Sequence, residues 1–275
     1  MIQGMIRPEG VGLDTAAAEP ADFASLLRSK GLYPAPGFAW AAAPGPQAPL
    51  ETHATTILAF KFAGGVLMAG DRRATAGNTV VFDRADKVLE IDRHSLMAIA
   101  GVPATAWEMA RVLEHSFQYY RRTQLQEMSL DGKVRALSKL LRDNFPLVMQ
   151  GVGIVVPIFA THDPVAGVGR LYFYDAMGAQ FEAADYAVSG SGSPAVRSVL
   201  YFANTWGPKP LRELDQHEAL VLAMRALDTA AETDTATGGV DRRGSVYPVV
   251  KIVTAAGIAT LADDELAGIF KTEVR

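Results

Sequence analysis

The stretch "TTILAFKFAGGVLMAGDRR", residues 55–73, decides the fold. Two nearly continuous apolar runs flank Gly64 and Gly65, a pattern that predicts a β-hairpin. Apolar residues at odd and even positions alike predict strands covered on both faces, because a sheet with one wet side alternates instead. Outward from this hairpin the pattern continues. "KVLEID" (87–92) and "SLMAIAG" (95–101) read as a second hairpin, followed by helical periodicity over 104–122 and 131–150. Strands are predicted within "VGIVVPIFATHD" (152–163) and "GRLYFYDAMGAQFEAADYAVSG" (169–190), helices over 194–206 and 216–233, and strands again within "SVYPVVKIVTAAGIATLAD" (245–263). This order of strands and helices predicts an α+β architecture, two sheets packed together with helix layers outside.

Upstream of Thr55 the texture is different. Seven of the chain's 15 prolines lie in residues 1–54, several of them in "YPAPGFAWAAAPGPQAP", a composition that favours extended, weakly packed backbone. One short amphipathic helix is predicted there, from Pro20 to Gly31, with Phe23, Leu26 and Leu27 on its apolar stripe. That stripe needs a surface, either on its own domain or on a neighbouring subunit.

Composition bounds the function. The 275 residues are 49% hydrophobic and 20% charged, ordinary for a globular chain whose core needs no disulfide or metal to hold it. The absence of cysteine removes thiol nucleophiles and thiolate metal sites and fits a reducing cytoplasm. A net charge of -4 argues against nucleic-acid binding, which normally brings a basic excess. The start of the chain lacks a signal-peptide pattern, and no apolar run reaches the roughly 18 residues needed to cross a bilayer.

Familiar catalytic motifs are missing, among them HExxH, GxSxG, GxxxxGK and GxGxxG. His94, His115 and His162 are scattered and read as surface or half-buried side chains. Thr55 and Thr56 offer a different chemistry. Cleavage after Ala54 would place a hydroxyl and a free α-amine on one residue, and an α-amine with a pKa of about 7.7–8.0 can act as general base near neutral pH. A threonine activated by its own amine is then a competent nucleophile. A lysine ammonium nearby would disfavour the protonated amine. Asp71 and Lys87, at the ends of adjoining strands, are placed to supply that ammonium and hold it. Taken singly, each has an ordinary reading: strand residues for the threonines, a solvated turn for "GDRR", and an edge-strand charge for Lys87.

The set as a whole resembles the β subunits of the 20S proteasome, most closely the actinobacterial type. The resemblance is carried by "TTILAFKFAGGVLMAGDRRATAGNTV" (55–80), "DKV" (86–88), Gly101, "SGSGS" (189–193) and "DTATGG" (234–239), and extends over nearly the whole chain from residue 55. It implies the N-terminal nucleophile hydrolase fold, a four-layer αββα sandwich of two antiparallel sheets between helix layers. Residues 1–54 then correspond to a propeptide removed by autocatalysis between Ala54 and Thr55, and 55–275 to the catalytic domain.

By the same resemblance Thr55 matches the nucleophile, Asp71 and Lys87 the pair that tunes it, and Gly101 the backbone N–H of the oxyanion hole. Ser191, Asp234 and Thr237 match the polar group around the new chain end. Ala74, Ala85, Leu89, Ile99, Pro103 and Trp107 match the pocket for the residue before the scissile bond, and Thr75 the position that holds the substrate backbone. Thr56 is expected to matter far less than Thr55. Ala54 and Thr237 depart from the family, which usually has glycine and serine there; alanine accommodates a tight turn before the nucleophile less readily.

The implied partners are proteasome α subunits, further copies of this chain in seven-membered rings (α7β7β7α7), a ring-shaped ATPase regulator and unfolded or tagged protein substrates. No metal or organic cofactor is implied. Two alternatives share parts of the pattern: an inactive structural ring subunit, and the bacterial two-ring protease HslV, whose chains are shorter and lack such a leader.

Overall fold

The computed structural model describes residues 55–76, 79–241 and 246–275, together with Phe23, Leu26, Leu27 and Lys30. The first hairpin forms where the glycines place it: β1 (Thr56–Phe62) and β2 (Gly65–Gly70) pair antiparallel, with Ile57 opposite Gly70 and Phe62 opposite Gly65. The second joins β5 (Val88–Asp92) to β6 (Ser95–Ala98).

Between them lies a two-stranded hairpin, β3 (Ala74–Ala76) with β4 (Thr79–Phe82), that the pattern analysis missed. All four β4 residues are exposed, so no buried face imposes an alternation that a sequence could reveal.

Two helices follow, α1 (Pro103–Gln124) and α2 (Leu130–Val148). Proline opens α1, where its missing N–H costs nothing, and the Ser129 hydroxyl caps α2 by accepting from Gly132 N–H at 3.2 Å. Then come β7 (Ile158–Asp163), β8 (Val168–Tyr174), β9 (Gln180–Glu182) and β10 (Tyr186–Gly190). The second helix pair is α3 (Ser193–Trp206) and α4 (Gln216–Thr233), the latter opened by a capping box between Asp215 and Glu218. After it, β11 (Val249–Thr254) and β12 (Gly257–Thr260) lead to a short C-terminal helix, α5 (Asp263–Ile269), also absent from the sequence reading.

The strands assemble as two five-stranded antiparallel sheets, β10-β1-β2-β11-β12 and β5-β6-β7-β8-β9. The chain crosses between sheets after β9, so β10 pairs with β1, Thr56 lying opposite Gly190. Side-chain alternation builds three cores at once. Ile57, Ala59, Val66 and Met68 point into the space between the sheets, against Leu96, Ala98, Ile158 and Ala160. Leu58, Phe60, Leu67 and Ala69 point the other way, onto Val196, Leu200, Leu220 and Leu227 of α3 and α4. Met97, Ile99 and Phe159 carry the outer face of the second sheet onto Leu113, Phe117, Leu137 and Leu141 of α1 and α2. The result is helix, sheet, sheet, helix, the four-layer αββα sandwich, and it explains why the strand sequences are apolar on both faces.

Most of the predicted helix from Pro20 to Gly31 lies outside the described residues. Phe23, Leu26 and Leu27 are helical and half-buried, and the Phe23 ring stacks on His115 of α1 at 5.8 Å, with Tyr119 at 5.9 Å. At Phe23, therefore, the apolar stripe meets the chain's own α1. Among the described residues no helix is long and apolar enough to cross a membrane.

Candidate active site

One end of the sandwich gathers the candidate residues. Thr55 precedes β1, Asp71 follows β2, Lys87 precedes β5 and Ser191 follows β10, so four strand ends deliver four side chains to one place. Thr55, Asp71 and Lys87 are all buried, Asp71 completely. "GDRR" is thus no solvated turn. The Lys87 ammonium donates to Asp71 Oδ1 at 2.7 Å and to the Arg73 carbonyl at 2.5 Å. Asp71 Oδ1 also accepts from Thr56 N–H at 2.8 Å, while its Oδ2 accepts from the N–H groups of Arg73 and Gly238 at 3.0 and 2.9 Å. A carboxylate with this many donors is fixed in place, and it holds the ammonium beside the first peptide of β1. Burial is the largest influence on Lys87 and takes its pKa below the ordinary lysine value, against an upward pull from Asp71.

The Thr55 carbonyl is anchored separately, by Ser191 N–H at 2.9 Å. That approach demands glycine at 190: φ is +96°, and a β-carbon there would lie 1.6 Å from the Thr55 oxygen. The Ser191 and Thr237 hydroxyls donate to Asp234 Oδ2 at 2.5 and 2.6 Å. Burial works against ionisation of Asp234, but these hydroxyls and the Ala236 N–H outweigh it and hold the carboxyl below its usual range.

Gly101 has φ +110° and bridges to Val155. The flanking bonds run from Val102 N–H to the Ile154 carbonyl (2.8 Å) and from Val156 N–H to the Ala100 carbonyl (2.9 Å). In an antiparallel pair this pattern makes Gly101 and Val155 the pair that exchanges no hydrogen bonds, so the Gly101 N–H turns away from Val155.

The seven residues assigned to substrate binding are spread over several elements. Ala74 and Thr75 lie on β3, and Ala85 is tied to the Arg72 carbonyl through its N–H at 3.0 Å. Leu89 is on β5, Ile99 follows β6, and Pro103 and Trp107 occupy the first turns of α1. Ile99 also belongs to the core beneath α1 and α2, with Leu89 packed against it, whereas Trp107 is exposed. Ala54 lies outside the described residues.

Sequence reasoning missed two members of this site. Arg73 donates through Nη1 to the Thr235 carbonyl at 2.8 Å and to that of Thr237 at 3.3 Å, tying the end of β2 to the segment after α4. Its only signal was its place beside Asp71. Thr56, treated as a strand residue, is completely buried and carries hydrogen bonds on both its N–H and its hydroxyl.

Comparison with known proteins places these features in a lineage. A family model described as "Proteasome subunit" matches residues 51–244. Proteasome subunit beta 2 of Thermomonospora curvata is 37% identical over 98% of this chain and 93% of its own length. The proteasome subunit beta of Streptosporangium roseum is 41% identical over 80% and 76% of the two chains, and that of Acidimicrobium ferrooxidans 39% identical over 78% and 76%.

Proposed function

Since the chain belongs to the proteasome subunit family, with β subunits as its relatives, we propose that it is the threonine endopeptidase of a 20S core particle. In this reading residues 1–54 are removed, and residues 55–275 form the mature catalytic domain. Thr55 Oγ1 attacks the substrate carbonyl carbon while the Thr55 α-amine takes the hydroxyl proton. The oxyanion that forms is received by the Gly101 N–H, and the protonated amine returns its proton to the departing peptide nitrogen, leaving an ester on Thr55. Water, deprotonated by the same amine, then hydrolyses the ester.

Lys87 keeps the amine unprotonated by like-charge proximity, and Asp71 keeps Lys87 there. Ser191, Asp234 and Thr237 order the chain around the Thr55 carbonyl. The observation that carries this reading is Asp71 Oδ1, which joins the Lys87 ammonium (2.7 Å) to the Thr56 N–H (2.8 Å), one residue from the nucleophile. Intact Thr55, Asp71 and Lys87 favour an active subunit over an inactive structural one.

The same reading supplies the partners. The chain assembles with α subunits into core rings, with seven copies per β ring and an ATPase ring that delivers unfolded or tagged proteins in the cytoplasm. The deciding experiment is Thr55→Ala co-expressed with the α partner. Assembled particles should retain residues 1–54 by intact mass and hydrolyse no peptide, whereas wild-type chains should begin at Thr55. Peptidase activity from the alanine variant at the wild-type level would overturn the assignment.

A further inference from the structure

Thr56 opens β1 with its side chain fully buried, and its hydroxyl sits at a junction. Thr56 Oγ1 accepts from Gly192 N–H at 3.0 Å and lies 2.5 Å from Thr237 Oγ1. Either hydroxyl could in principle donate across that short contact, but the surroundings leave one order. Asp234, held ionised, can only accept, so the single proton of Thr237 is committed to its Oδ2 at 2.6 Å. The Thr56 proton must therefore go to Thr237, and a Thr56 lone pair receives the Gly192 N–H. The hydrogen bonds then run in one direction, from Gly192 through Thr56 and Thr237 to Asp234, where Ser191 also ends.

Space at the junction is as restricted as its protons. A β-carbon on Gly192 would stand 2.5 Å from Thr56 Oγ1 and 2.6 Å from Thr237 Oγ1, so both hydroxyls press on the backbone that opens α3. The neighbouring N–H, that of Ser191, grips the Thr55 carbonyl. The Thr56 hydroxyl thus holds the segment that holds Thr55.

We propose that Thr56 is a positioning residue for Thr55, its hydroxyl locking the Ser191–Gly192 turn to Asp234 and so fixing the carbonyl and backbone orientation of the nucleophilic residue. The proposal rests on Thr55 being the nucleophile. The Thr56 side chain is completely buried, out of reach of a substrate at the surface, so its loss acts on turnover and not on substrate binding. Misplacing a nucleophile by a fraction of its working geometry costs up to about 100-fold in rate.

The test compares Thr56→Val, which keeps the shape and loses the hydroxyl, with Thr56→Ser, which keeps the hydroxyl and loses a methyl. Both are co-assembled with the α partner, and kcat and KM are measured on one fluorogenic peptide per chain that begins at Thr55. The expected result is a fall in kcat of roughly 10- to 100-fold for valine with KM within about twofold, and recovery of most of the loss by serine. Leader removal also begins with Thr55 Oγ1, which attacks the Ala54 carbonyl carbon while the Thr55 nitrogen, still acylated, is the leaving group and water takes the hydroxyl proton in place of the amine; it needs the same placement of Thr55, so assembled valine particles that keep residues 1–54 while serine particles lose them also support the proposal. Should valine prevent assembly, Thr56→Ala is read against Thr56→Ser in its place. Wild-type kcat without the hydroxyl, or equal loss in the serine variant, overturns the proposal. Thr55→Ala run alongside separates the failures: if it stays active the nucleophile assignment is wrong, and if it is dead while Thr56→Val works normally, only the role of Thr56 is wrong.

Discussion

At the scale of single residues, the site is an exercise in holding a lysine ammonium in a buried place. Alone there, Lys87 would shed its proton easily, since burial is the strongest influence on it and lowers its pKa below 10.5. Asp71 opposes that fall through a direct hydrogen bond and its charge. Activity that depends on the ammonium should decline on the alkaline side as Lys87 loses its proton, at a pH below that of a free lysine. Asp71→Asn removes an influence that raises the Lys87 pKa, so the alkaline limb of the kcat/KM profile should shift to still lower pH, with a lower plateau because the ammonium is also less well placed. A pH–rate series on wild-type and variant particles reads this directly; an alkaline limb that does not move would mean that another group sets it. Arginine at position 87 should rescue poorly, because a planar guanidinium cannot occupy the compact space between Asp71 and the Arg73 carbonyl in the same way.

At the scale of elements, strand ends carry the proposed site while strand middles do the packing. The middle of β1 alternates between two cores, whereas its first residues are held by β10, by Asp71 and by the turn into α3. The glycines at these ends are required by close approach. At Gly101 a β-carbon would lie 2.0 Å from the Ile154 carbonyl, on a backbone with φ +110° that disfavours any side chain. Gly101→Ala should therefore displace the N–H proposed to receive the oxyanion. Loss of one such donor costs about 100- to 1,000-fold in kcat, and the strain should also lower Tm by several degrees, of the order that about 1–3 kcal/mol produces. Calorimetry and peptide turnover on the same preparation separate the two effects. An alanine variant with wild-type kcat would remove Gly101 from the site.

At the scale of the whole molecule, the proposed substrate pocket draws on residues that no single element supplies. Ala74 and Thr75 come from β3, Ala85 from the loop before β5, Leu89 from β5, Ile99 from just after β6, and Pro103 and Trp107 from α1. None of the seven is charged, so a basic or acidic side chain entering such a pocket would lose its hydration without a counter-charge, at a cost of several kcal/mol. Fluorogenic peptides ending in Tyr, Phe or Leu should be cleaved faster than those ending in Arg or Glu, and the reverse ranking would show that this pocket is misassigned. By itself the sequence determined the layers. Strands apolar on both faces must be covered on both sides, the order of strands and helices points to a second sheet on one side and helices on the other, and the glycines at 64 and 65 set the hairpin that starts them. It did not reveal β3–β4 or α5, because an exposed four-residue strand and a seven-residue helix carry too little buried periodicity to stand out. Strand ends and amine chemistry suggested Thr55, Asp71 and Lys87, the family resemblance matched them to roles, and strand pairing is what joins their ends. The Thr56 junction was out of reach altogether: its hydroxyl meets Gly192 136 residues away and Thr237 181 residues away. Local pattern records which face of an element is buried. Which polar atoms then meet at its end is decided by chain segments distant in sequence, and only the tertiary structure brings those together.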